Sequence, residues 1–296
     1  MDLFSLPKLS AMRKQPMPDR DRMVDEFVRP RMPAIFENVA ESLPYMGDWS
    51  YDYFKRRLKS IRVQRAAADG MFHYLHFERI PFEQFEMDLA RGVAKYALEP
   101  LFGGEAPQGR PEHRSMDFDE STVPEFIPPA KFRVSNLYIG PGDNRSLLHF
   151  DETHSLLIMV EGRKKFVLFP PTESRRLYPY SIFDIRAIIE GRILDSKVGC
   201  NDIDFQRFPK ISEASGLVGE IEAGQALFIP AGTWHYILSE GRNVAVNYFW
   251  YGVGLAGWLK RPMIDFWVKD QELHAIDALK AVRNFANSRY ARATSS

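Results

Sequence analysis

The sequence predicts a mainly-β fold, a sandwich or barrel with helices flanking it on both sides. Three features of the chain support this. Residues 130–252 break into eight short apolar runs: "KFRVSNLYIG", "SLLHF", "SLLIMVEG", "KFVLFPP", "GLVGEIEAG", "ALFIPAG", "WHYILS" and "NVAVNYFWY". These runs are rich in β-branched and aromatic residues, and Gly and Pro punctuate them as turns. Helical spacing is confined to the flanks, chiefly at 50–61, 81–96 and 254–292.

Residues 1–33 are rich in Pro, Met and Arg and read as an irregular arm. Residues 34–129 read as helical and strand elements that pack on the barrel. Within them, "SYDYFKRRLKSI" (50–61) has helical spacing, with Tyr53, Phe54, Leu58 and Ile61 on one face. "MFHYLHF" (71–77) reads as a strand, and "PFEQFEMDLARGVAKY" (81–96) as an amphipathic helix begun by a proline. A Gly/Pro loop follows over 103–112. The β core then spans 130–252, with a long insert at 171–212 between its first four and last four strands. The tail, 253–296, returns to helical spacing. It carries Trp258, Ile264, Phe266, Trp267, Leu273, Ile276, Leu279 and Val282, too apolar a set for a solvated appendage, whereas Arg283, Arg289 and Arg292 read as its wet face.

Bulk properties narrow the function. The 296 residues suffice for one large domain or two small ones. Lys plus Arg number 39 and Asp plus Glu 39, so there is no net charge to make a broad nucleic-acid footprint. Cys200 is the only cysteine, which excludes a disulfide framework and a cysteine-based zinc site. "MDLFSLPKLSAMRKQP" has no long apolar run of the signal-peptide kind, and "YGVGLAGWL" is too short to span a bilayer, so a reducing, cytoplasmic setting is expected.

The chemistry concentrates in "SLLHFDETHSLLIMVEGRKKF" (146–166). On a helix, residues two apart point roughly 200° away from each other; on a strand they share a face. The apolar flanks favour strand, so His149 and Asp151 converge while His154 has the wrong parity. An imidazole and a carboxylate side by side supply two adjacent positions on a divalent metal. A second histidine completes the two-His, one-carboxylate set that suits non-haem Fe(II). The candidate is His235 in "IPAGTWHYILS", just after a turn and at the start of a β run; His73, His76, His113 and His274 lack such framing. A His-x-Asp pair alone is more often a structural hydrogen bond. Lys164 adds weight: adjacent lysines on a strand point to opposite faces, so one of Lys164 and Lys165 turns inward, where it requires an anion.

With these residues in view, "NLYIGPGDNRSLLHFDETHSLLIMVEGRKKFVLFPP" and "IEAGQALFIPAGTWHYILSEGRNVAVNYFW" resemble the cupin-like JmjC family of Fe(II)/2-oxoglutarate-dependent oxygenases, in particular its asparaginyl hydroxylases. The likeness is strong over 130–252, including "LYPY" and "DFQRFP" within the insert, and weaker before it. It implies a double-stranded β-helix, the jelly-roll or cupin barrel of JmjC type, with N-terminal α/β elements and C-terminal helices. His149, Asp151 and His235 match the iron ligands, and Lys164 the lysine that pairs with the distal carboxylate of 2-oxoglutarate. Ser146 matches a residue bonding that carboxylate, Asn247 an asparagine near the iron-chelating end, and Tyr96 a tyrosine at the distal carboxylate. Ser155 stands where the family often has Asn, a shorter group that alters how cosubstrate or O₂ is oriented.

The resemblance implies an Fe(II)-, 2-oxoglutarate- and O₂-dependent dioxygenase that hydroxylates a C–H bond, with a peptide or protein side chain as the expected substrate. A hydroxylase of free amino acids or natural products with the same mechanism, and a non-catalytic metal-binding cupin, are the alternatives. No nucleic-acid or membrane partner is expected. A homodimer through the C-terminal helices is.

Overall fold

The structure is a computed structural model that describes residues 1–65, 77–103, 118, 120–181 and 183–252. The strand expected over 71–77 and the loop over 103–112 fall largely outside these residues. The C-terminal helical region, its expected dimer contact, and His73, His76, His113 and His274 fall wholly outside them.

Strands appear from the start of the chain. β1 (Leu9–Ala11), β2 (Lys14–Pro16) and β3 (Ala34–Glu37) come first, then β4 (Ser60–Arg65), β5 (Glu78–Pro81) and β6 (Lys95–Gly103). β7 (Phe132–Gly140), β8 (His149–Phe150), β9 (His154–Phe169), β10 (Gly216–Glu222), β11 (Ala226–Ile229) and β12 (Trp234–Trp250) form the core region. The arm expected to be irregular is stitched to the barrel at both ends: β1 runs parallel to β10, and β2 parallel to β3. Leu3 and Leu6, just ahead of β1, are buried.

Two of the expected turns are not chain reversals. "SLLIMVEG" and "KFVLFPP" form the single strand β9, and "WHYILS" and "NVAVNYFWY" form β12; the two pair antiparallel from Trp234↔Phe169 to Trp250↔His154. The bend lies at Gly162 (φ 81°) and Gly241 (φ 64°), with register irregularities between Glu240 and Ala245. A Cβ on Gly162 would collide with the Arg242 carbonyl, so only glycine allows the strands to cross this closely.

The bend lets each long strand serve two layers. In one layer, the first half of β9 pairs with β11 and the second half of β12 with β7, and the sheet continues through β3 and β2 on one side and β6, β4 and β5 on the other. In the other layer, the second half of β9 pairs with β10 and the start of β12 with β8. This is a double-stranded β-helix.

The apolar residues alternate as the pleat requires. Leu157, Met159, Phe166, Leu168, Ile229 and Ala245 form the cluster between the layers. Leu156, Ile158, Val246, Tyr248 and Trp250 face outward, where Trp49, Phe54, Phe82 and Phe85 cover them. Val167, Phe169, Trp234 and Tyr236 face outward from the other layer, beneath Leu177, Val198, Phe208 and Ile211 of the 171–212 insert. Trp234, Trp250, Tyr236 and Tyr248 are at most 2% exposed, and aromatic side chains of this kind each bury about 150–250 Å².

The helix expected over 50–61 spans Tyr51–Arg57, with Ser50 Oγ accepting from Tyr53 N at 3.1 Å as its cap. It ends early because Ile61 and Val63 alternate into the outer core as part of β4. The helix expected over 81–96 covers Phe82–Ala90, and Lys95 onward is strand.

Candidate metal centre

His149 and His235 are register partners across the β8–β12 pair, with ring centroids 4.1 Å apart. Asp151 lies one residue beyond β8, in the loop, and its backbone carbonyl accepts from Gly232 N at 2.8 Å. The turn in "IPAG" therefore holds the carboxylate in place beside the histidine that follows it. One ligand atom from each of the three residues lies within 4.8 Å of the others, and His235 Nε2 is 3.7 Å from Asp151 Oδ2. The short β8 is fixed from behind: Phe150 meets Trp234 edge-on at 4.7 Å, and Trp234 Nε1 donates to Ser174 Oγ at 2.8 Å.

The two imidazoles are oriented alike. His149 Nδ1 lies 2.8 Å from the Leu147 carbonyl and His235 Nδ1 3.0 Å from the Thr233 carbonyl. A carbonyl only accepts, so Nδ1 of each ring carries the proton and Nε2 presents its lone pair toward the carboxylate. Burial, with His149 adding to it, pushes His235 down to about 4, so the ring is neutral at pH 7, as a ligand must be. Two imidazole nitrogens and one carboxylate oxygen on one side of an open cavity fit a ferrous ion. His154 sits apart from them, buried against Phe228 and Trp250, with its Nδ1 accepting from Ala231 N at 3.1 Å.

The three residues line one end of a cavity of about 450 Å³, which Lys164, Tyr96, Ser146, Ser155 and Asn247 also line. Lys164 shares the inward parity of Phe166 and Leu168 and is 2% exposed. Its Nζ donates to Ser239 Oγ at 2.6 Å and Asn243 Oδ1 at 2.9 Å and lies 5.8 Å from the Tyr96 ring centroid. Burial pushes it down to about 7. Among the described residues no carboxylate pairs with it, so the inner wall fits an anionic ligand. Lys165 points outward and pairs with Glu240 at 2.6 Å. The Ser146 hydroxyl donates to the Leu147 carbonyl and accepts from Ile237 N, each at 2.9 Å. Ser155 Oγ donates to Asn247 Oδ1 at 2.8 Å.

Among the cavity residues that sequence reasoning missed are Tyr138, Gln64 and Asn144. Tyr138 stacks on Tyr96 at 5.7 Å and shares side-chain hydrogen bonds with Asn136 and Asn247; burial pushes its phenol above the ordinary range. Gln64 and Asn144 are buried amides lining the same space. The signal for Tyr138 was in β7, where Asn136 and Tyr138 interrupt the apolar Leu137 and Ile139 at strand period. The insert walls the mouth with Gly191, Leu194 and Asp195, and Phe150 N donates to the Leu194 carbonyl at 3.1 Å.

Residues 20–254 match the family described as the cupin-like domain. Among curated proteins, the chain is similar to Lysine-specific demethylase 8 of Xenopus tropicalis, with 24% identity over 81% of this chain. It spans 53% of that protein, about half its length. It is 30% identical to tRNA wybutosine-synthesizing protein 5 of Gallus gallus, over 78% of this chain and 74% of that one. With the Bifunctional peptidase and (3S)-lysyl hydroxylase JMJD7 of Homo sapiens it shares 25% identity over 76% and 79% of the two chains. No helix among the described residues is long and apolar enough to cross a membrane.

Proposed function

Because the chain belongs to the family of cupin-like domains, we propose that it is an Fe(II)- and 2-oxoglutarate-dependent oxygenase that hydroxylates a C–H bond on an amino-acid side chain of a peptide or protein. The observation that carries this reading is the convergence of His149, Asp151 and His235 within 4.8 Å, on the wall of the cavity that holds the buried Lys164.

When bound, iron and cosubstrate supply O₂ activation coupled to decarboxylation of the 2-oxo acid to succinate and CO₂. The chain's own part is positioning. His149, Asp151 and His235 hold the metal on one side and leave the cavity side open. Lys164 anchors the distal carboxylate, with Tyr96 beside it and Ser146 nearby, and Asn247, steadied by Ser155, borders the chelating end. In charge terms, Fe²⁺ with Asp151 and a dianionic cosubstrate sums to −1, which the Lys164 ammonium neutralises. Leu157, Ile229, Ile237 and Phe249 line the same cavity with apolar surface and limit water around the reacting carbon.

In this reading residues 130–252 are the catalytic barrel, 34–129 buttress it, and the insert at 171–212 forms the rim that a substrate crosses. A cytoplasmic setting suits the chain's lone Cys200. Two of the relatives' names specify lysine or lysyl chemistry, which favours a side chain as the target, and equal counts of acidic and basic residues favour a polypeptide over RNA. The test is to incubate Fe(II)-loaded protein with peptide, amino-acid and short-RNA libraries, following succinate release and the mass gain of one oxygen atom. Succinate release driven by a peptide supports the reading. No release with any library, together with no visible charge-transfer band on anaerobic addition of 2-oxoglutarate, rejects it.

A further inference from the structure

An ammonium group has three hydrogens, and two of those on Lys164 are committed to Ser239 Oγ and Asn243 Oδ1. One remains for a ligand. A carboxylate presents two oxygens and about four acceptor positions, so the buried lysine alone leaves most of them without a donor.

Two buried donors, on residues that line the same cavity, have no partner among the described residues. They are Gln64 Nε2 and Asn144 Nδ2, on residues 2% and 5% exposed. Asn144 is tied to Lys164 through the backbone, and Gln64 through its strand partner Tyr96. The Asn144 carbonyl accepts from Ser239 N at 2.8 Å, and Ser239 is the residue that holds the ammonium. Asn144 Oδ1 accepts from Gly142 N at 3.2 Å, which fixes which end of the amide is oxygen and leaves the NH₂ unpaired. The Asn144 amide and the Tyr96 ring meet over Gly140, where a Cβ would collide with Oδ1. Gln64 is the register partner of Tyr96 across β4 and β6. Gln64, Tyr96, Asn144 and Lys164 thus form a linked group on the cavity wall, joined by one strand pairing, one shared glycine and one backbone hydrogen bond.

We propose that Gln64 and Asn144 are ligand-binding residues: their amide N–H groups, with the one uncommitted hydrogen of Lys164, receive the terminal carboxylate of the cosubstrate. The inference rests on the oxygenase reading above and deepens it. One cation and two neutral donors match a single carboxylate of charge −1, so this end of the cavity selects a 2-oxo acid with a terminal carboxylate over its monoacid analogue.

The experiment compares binding of 2-oxoglutarate and of 2-oxovalerate, the five-carbon monoacid, to the Fe(II)-loaded protein under nitrogen by calorimetry. The variants are Gln64→Leu and Asn144→Asp; the latter keeps the acceptor for Gly142 N and replaces the donor with a carboxylate. Each variant should weaken 2-oxoglutarate binding by about 10-fold or more, with 2-oxovalerate binding changed less than about 2-fold. Gln64→Leu should also leave the melting temperature of the ligand-free protein unchanged or raised, because it removes an unsatisfied buried donor. A purely structural glutamine would lower it. Unchanged 2-oxoglutarate affinity in both variants, or equal loss for the two ligands, overturns the proposal. If Lys164→Ala loses affinity while these variants do not, only this inference falls. If the unaltered protein binds no 2-oxoglutarate, the oxygenase reading falls with it.

Discussion

His149 and His235, 86 residues apart in sequence, sit directly opposite each other where β8 meets β12, with both Nδ1 atoms turned back onto main-chain carbonyls of their own segments. Ring orientation is therefore set by backbone, which side-chain substitutions elsewhere do not easily disturb. A metal held by these residues would depend for its position on this one strand pair and on the turn that fastens Asp151 to it.

Asp151→Ala removes the only carboxylate of the three. Succinate release is expected to vanish, and Fe(II) affinity to fall by at least about 100-fold, the upper end of what losing a residue that merely supports a ligand costs. Metal titration of the purified variant checks the second part independently of turnover.

Lys164→Ala should weaken 2-oxoglutarate binding by about 2–5 kcal/mol, the usual cost of orphaning a buried charge. Calorimetry on the Fe(II)-loaded protein under nitrogen measures it, and an unchanged affinity would show that the inward lysine plays no part in the site.

The same lysine dictates a pH dependence. Burial holds Lys164 at about 7 in the ligand-free protein, and a bound carboxylate recruits its charged form. Affinity for 2-oxoglutarate is therefore greatest below pH 7. Above it, affinity falls by up to about 10-fold per unit, and binding takes up a proton. Stability of the ligand-free chain moves the other way. Between about 7 and 10.5 the unfolded lysine holds a proton that the folded one lacks, so the unfolding free energy rises with pH across that window. Calorimetry in buffers of different ionisation enthalpy and melts across pH 6–9 test the two signs.

Gly162→Ala should destabilise the fold by about 2 kcal/mol or more, because the position combines φ 81° with a collision against the Arg242 carbonyl. Gly224→Ala is the control. It has a similar φ of 83° but open space around it, so about 1 kcal/mol is expected. Thermal melts of the two variants separate crowding from backbone strain.

Much of this architecture was legible in period-two alternation. The outward and inward sets of β9 follow once "SLLIMV" and "KFVLF" are strands, with the parity switching at Gly162; period two sends Lys164 and Lys165 to opposite faces, and the structure puts Lys164 inside and Lys165 out. Glycine misled the reading at residues 162 and 241, since local sequence does not distinguish a strand that bends from one that ends. The arm was illegible for a different reason: three-residue strands such as β1 and β2 owe their conformation to the edges they join, not to their own residues. Within the site, the histidines were visible because titratable groups stand out against apolar runs. Gln64 and Asn144 were not, because an amide in a mixed segment looks the same whether it faces solvent or a cavity.

The long β9–β12 pairing has a kinetic consequence. Its rungs run from Trp234↔Phe169 to Trp250↔His154, so the most distant partners close a loop of nearly a hundred residues before either layer exists. Both halves of the roll share β9 and β12, and their long-range pairing predicts slow folding. A slip of one residue in that single zipper would turn Leu157, Lys164 and Phe166 outward together.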